Sequence, residues 1–187
     1  MSTWKGIVGT GFTPQEFATY ASSLTFATWR PQFVVLHNTA APTFAEWHAV
    51  RGGQRMKNLE TFYRDTQHWS AGPHLFVADD LIWVFTPLTT SGVHSPSWNS
   101  MSWGVEMVGD YNMEPFGAPV RDNTVSALAT LHALLGLDPH MLRLHKEDPK
   151  TTHDCPGKRV EKTAIVQRVF DALAQLHTGE HVLGAGE

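Results

Sequence analysis

Short β-rich apolar runs alternate with stretches at helical spacing along this 187-residue chain, and that alternation restricts its fold more than any other feature. Phe33-Val34-Val35-Leu36 is uninterrupted and apolar, the pattern of a buried strand. Leu75-Phe76-Val77 and Ile82-Trp83-Val84-Phe85 flank Asp79-Asp80 and predict a β-hairpin. Trp103-Gly104-Val105-Glu106-Met107-Val108 and the short run Leu142 to Leu144 supply two more strands. Between them lie helices. Thr13-Pro14-Gln15-Glu16 offers an N-cap Thr, a Pro in the first position and a Glu in the third, and Phe17, Tyr20, Ala21 and Leu24 follow at helical spacing. Thr43 starts a second helix with Phe44, Trp47 and Val50 on one face, and Asn58 to Asp65 is a further candidate. Asp122 to Leu135 repeats Val125, Leu128, Leu131 and Leu135, with Gly136 in the C-cap place. Glu161 to Leu176 closes the series, with Ile165, Val169, Leu173 and Leu176 facing inward. This order predicts a mixed α/β fold, a central mixed sheet of about five to six strands flanked by helices.

Length, and the lack of any Pro/Ser-rich linker, predict a single domain over 1–177, with a loose polar tail over 178–187. Only 17% of residues are charged, and seven Trp and ten Phe argue against disorder. A net charge of -4 gives no electrostatic case for a nucleic-acid partner. The apolar runs are too short for membrane insertion. The N-terminal MSTWKGIVGTGF lacks the basic-then-apolar pattern of a signal peptide, so the expectation is a protein that is cytoplasmic at synthesis. One cysteine excludes an intramolecular disulfide.

Eleven histidines are the first hint of chemistry. His37 ends one strand. His145 ends another and opens KEDPKTTHDCPGK, which carries His153 and Cys155. Side chains at strand ends are pre-positioned by the sheet, so distant segments can assemble one site. His37, His145 and Cys155 have the atoms for a catalytic zinc, two imidazoles and a thiolate with a fourth position for water. Spacing alone leaves the bland reading open, with His37 a satisfied core histidine and Cys155 a small buried hydrophobe. Glu106 sits in an otherwise apolar strand. It either points to solvent or occupies a lined pocket, where desolvation would raise its pKa and suit it to act as a general base. A thiol hydrolase with Cys155 as nucleophile is a third reading, weakened because Pro156-Gly157 follows in place of a helix start.

Together these pieces resemble the zinc N-acetylmuramoyl-L-alanine amidases, the type 2 amidase or peptidoglycan-recognition family. The resemblance is carried by FVVLHNTAAPT, GPHLFVADDLIWVF, GVHSPSWNSMSWGVEMVGDYN and LHKEDPKTTHDCPGK, in that order, from about Phe33 to Lys158. It implies the amidase type 2 fold and one zinc ion held by His37, His145 and Cys155. Glu106 matches the family's acidic catalytic position. His153 stands where many members carry an oxyanion-stabilising Lys. Pro73 occupies the place of the catalytic Tyr found in some phage members. His94 and Asn99 match substrate-groove positions; His74, next to Pro73, is a candidate to line the site, with a core role equally open. The implied activity is hydrolysis of the amide between N-acetylmuramic acid and L-alanine, on peptidoglycan or a muropeptide, by a monomer. The alternative is a peptidoglycan-binding module without turnover. An endolysin held in the cytoplasm until holin-type release and a recycling amidase both fit the absence of a signal peptide.

Overall fold

The computed structural model describes residues 3–183, with side chains described up to Leu176. Its elements run β1 (Thr10–Phe12), α1 (Pro14–Ser22), β2 (Phe33–Asn38), α2 (Phe44–His48), α3 (Gly52–Thr61), β3 (Leu75–Val77), β4 (Ile82–Val84), β5 (Ser102–Met107), α4 (Ala118–Leu135), β6 (Arg143–Leu144) and α5 (Lys162–Leu183). The result is the expected mixed α/β domain, a six-stranded sheet in the order β1-β4-β3-β5-β2-β6 with five helices. The hairpin β3–β4 and the β1–β4 pair are antiparallel. Strands β3, β5, β2 and β6 run parallel.

Local signals explain most boundaries. Helices α1 and α2 both begin with complete capping boxes, Thr13 with Glu16 and Thr43 with Glu46. Helix α4 ends at Gly136, whose φ of 63° is left-handed. The structure departs from expectation in four places. Strand β1 carries no apolar run, because a three-residue edge strand needs only backbone pairing to β4. Helix α4 starts at Ala118, ahead of the apolar repeat, with Pro119 in its first turn. Helix α3 begins at Gly52 and passes into a π-helical turn, Phe62–Thr66. Helix α5 extends to Leu183, past the expected end at Leu176, so the helix takes in the first part of the segment read as tail; residues 184–187 lie outside the described residues.

Strand alternation divides the sheet into two faces. Val34 and Leu36 of β2 and Trp103, Val105 and Met107 of β5 join the core beneath α1, α4 and α5, with Phe17, Leu128, Leu131, Ile165 and Val169. The opposite face carries Phe76, which packs with Trp47, Met56 and Leu59 of α2 and α3. His37 and Glu106 share that second face, because each is an odd step from the core residues of its strand. Among the described residues no helix is long and apolar enough to cross a membrane.

Candidate active site

Parallel pairing puts His37 directly opposite Glu106, and Glu106 in turn opposite Phe76. The two polar side chains therefore emerge side by side from the middle of the sheet, with His37 Nδ1 3.9 Å from Glu106 Oε1. Strand β6 pairs with β2 at Leu36 and Leu144, so His145 leaves the sheet beside His37, ring centroids 4.3 Å apart. The segment after His145 folds back. The Lys146 N–H donates to the Cys155 carbonyl at 2.8 Å, and the Asn38 N–H points at Cys155 Sγ at 3.4 Å. Gly157 is required here, with φ +102° and an added Cβ falling 2.6 Å from the Tyr111 backbone. One donor atom each from His37, His145 and Cys155 lie within 4.8 Å of one another.

These residues wall a cavity of about 330 Å³ together with Glu106, His153 and Tyr63. Burial, then the neighbouring His94 and His145, holds His37 well below the usual histidine range, so it is a neutral imidazole, the form that ligates metal. His145 is lowered by burial as well. Burial pushes the Glu106 carboxyl up to about 8. Burial first, then the nearby Glu106, pushes the Cys155 thiol well above its ordinary value. An unassisted thiol there stays protonated, which weighs against Cys155 as a free nucleophile.

The donor set fits zinc. Two imidazole nitrogens and one sulfur are a tetrahedral zinc's preferred ligands, and three of them leave a fourth position for water. His145 Nε2 and Glu106 Oε2 are buried with no hydrogen-bond partner in the protein. A cation at this point would also reverse the cost of a Cys155 thiolate.

A family model for N-acetylmuramoyl-L-alanine amidases matches residues 27–158, more than half of the chain. The chain belongs to the N-acetylmuramoyl-L-alanine amidase family. The match covers β2 through the loop of His145 and Cys155, the segments that build the cavity. No curated protein matches the sequence. Solved structures share the amidase fold. The endolysin N-acetylmuramoyl-L-alanine amidase LysCS from Clostridium intestinale URNW is 20% identical, with 79% of this chain and 92% of that one covered at a TM-score of 0.60. Drosophila PGRP-LB is 21% identical, with 74% and 81% covered at 0.60. Peptidoglycan recognition protein-LE, in complex with tracheal cytotoxin, is 17% identical, with 76% and 84% covered at 0.61.

Within this cavity the structure brings His37, Glu106, His145, His153 and Cys155 together and lets His94 border them. His153 is exposed on the wall, its ring 6.3 Å from that of His145. His74 and Asn99 have no place on the wall. The buried His74 accepts from the Gly104 N–H at 2.9 Å, places Nε2 3.0 Å from the Thr90 carbonyl, and stacks under Trp29. Asn99 Oδ1 accepts from the N–H groups of His94 and Ser95, both at 2.7 Å.

Sequence reading missed Tyr63 and Trp69. They stack on one another at 5.2 Å and line the cavity, with Tyr63 also against Phe76 and Phe85. The π-helical turn carries Tyr63, and π-turns concentrate at functional sites. Burial, and then Glu106, raises the Tyr63 phenol well above its usual range, so it remains a hydrogen-bond donor. A π-turn shifts the helical phase, so no 3.6-residue pattern signals it.

Proposed function

We propose that this protein is a zinc-dependent N-acetylmuramoyl-L-alanine amidase, hydrolysing the amide between N-acetylmuramic acid and L-alanine in peptidoglycan or its fragments. The observation that carries the reading is the convergence of His37, His145 and Cys155 within 4.8 Å on a cavity that also holds a largely buried Glu106 whose carboxyl is pushed up. The zinc these three residues would hold supplies Lewis acidity toward the scissile carbonyl and lowers the pKa of water. Glu106 accepts a proton from the attacking water and returns it to the departing amine of alanine. Its burial raises its basicity, and the charge of a zinc held beside it would favour the carboxylate form that accepts the proton. His153 on the rim donates a hydrogen bond to the oxygen that becomes negative as the carbonyl turns tetrahedral. Tyr63 and Trp69 give a flat wall against which a sugar or peptide can lie.

Family membership, and the complex of recognition protein-LE with tracheal cytotoxin, a monomeric peptidoglycan, support this substrate class. The recognition proteins among the fold neighbours favour a second reading, a module that binds muropeptide without turnover.

The deciding experiment is mass spectrometry of products from peptidoglycan and anhydro-muropeptides, with and without a zinc chelator. Stem peptides with a new alanine amino terminus, lost on chelation and restored by zinc, are expected. Zinc bound with no product from either substrate selects the recognition reading. Glu106→Gln should retain zinc and lose at least about 100-fold in turnover, the usual worth of a general base.

A further inference from the structure

His94 stands behind His37 in the cavity wall, and both of its ring nitrogens are engaged within the protein. Its Nε2 lies 3.3 Å from the Ser102 carbonyl. A carbonyl only accepts, so that nitrogen carries the ring proton. His94 Nδ1 is then a lone pair, and His37 Nε2, 3.1 Å away, must be the donor. A neutral imidazole has one N–H, so His37 Nδ1 is left bare. That nitrogen is the one on the Glu106 side of the ring.

We infer that His94 is a positioning residue: anchored on the Ser102 carbonyl, it fixes His37 in the Nε2–H tautomer and keeps its Nδ1 lone pair available as a metal donor. The surroundings hold the His94 ring to this task. Its plane crosses that of His37 at 89°. It rests over Gly104, where an added Cβ would fall 2.4 Å from His94 Cγ. Its backbone is pinned by Asn99, and the next residue, Ser95, donates through Oγ to Asp148 at 2.5 Å. Asp148 lies on the same loop as His145 and Cys155, so the ring that orients one ligand is tied to the segment that supplies the other two. With both nitrogens occupied, the ring has no polar atom left for substrate.

The consequence for metal rests on the zinc reading, whereas the tautomer does not. Long-range proton–nitrogen correlation spectra of the zinc-free protein read the His37 tautomer directly, and competition with a chromophoric chelator reads zinc affinity. Wild type should show His37 protonated at Nε2. His94→Asn, which keeps an acceptor oxygen near the position of Nδ1, should preserve that state and most of the affinity. His94→Leu should lose the single tautomer and weaken zinc binding about 10- to 100-fold, as partners of ligating histidines do. A wild-type His37 protonated at Nδ1 overturns the inference. So does a natively folded His94→Leu that binds zinc as tightly as wild type. If His94→Leu does not fold, the wild-type spectrum and His94→Asn decide. A wild type that binds no zinc sinks the metal reading, and its spectrum still decides the tautomer.

Discussion

At the scale of single residues, the most consequential buried charge is Asp148, which is 1% exposed. Burial alone would raise its carboxyl. Hydrogen bonds from the Ser95 hydroxyl, the Ser97 N–H and the Lys150 N–H outweigh that and hold it well below the usual range. A carboxyl depressed on folding stabilises above its unfolded value, about 3.9, and that contribution fades as pH falls toward the folded value. Asp148→Asn should therefore cost about 2 kcal/mol at pH 7. The gap from wild type should narrow in urea unfolding at pH 3, and a gap that stays constant with pH would contradict the charge argument. Asp148 also marks the limit of sequence reading. His37, Glu106 and His145 were legible because each interrupts or ends an apolar run, and Cys155 because it is the one cysteine, in the loop that His145 opens. Asp148, Ser95 and Tyr63 sit in loops or at a phase shift, where no periodicity shows which way a side chain faces.

At the scale of elements, β5 does two jobs. Trp103, Val105 and Met107 build the main core, while Ser102, Gly104 and Glu106 face the cavity side. The alternation was readable, but the sequence left two places for Glu106, solvent or pocket. The choice was made by α2, α3 and the loops that cover this face, which no local pattern specifies. Gly104 carries no signal of its own in the sequence, and its reason is the His94 ring 2.4 Å from an added Cβ. Gly104→Ala should cost about 1–3 kcal/mol, as overpacking does. It should weaken zinc binding together with stability, because the ring that must move also contacts His37. Chelator competition and thermal unfolding of the same sample test both. Unchanged zinc affinity would separate the ring from the ligand.

At the scale of the molecule, the sheet order brings together residues from four distant segments. The alternation of strands and helices announced a mixed sheet, yet the placement of β6 beside β2 follows from pairing and crossover geometry that composition does not encode. A metal held by both β2 and the His145 loop would clamp these parts in the native state only. Zinc at about 100 times its Kd should add about 2.7 kcal/mol of stability. For a chain of this size that is a rise of roughly 5–10 °C in Tm. Calorimetry with and without chelator checks this, and a Tm indifferent to zinc would exclude such a clamp.

The sheet order also bears on how the protein is made. Strand β6 and the loop to Cys155 come from the last third of the chain, yet they dock against β2 from the first. A ribosome that has delivered His37 and Glu106 has delivered one of the three donors, and translation must pass codon 155 before the set is complete. Prematurely terminated or clipped products shorter than that would carry Tyr63 and Trp69 without the ligand set, so an incomplete copy would have no means of holding the metal.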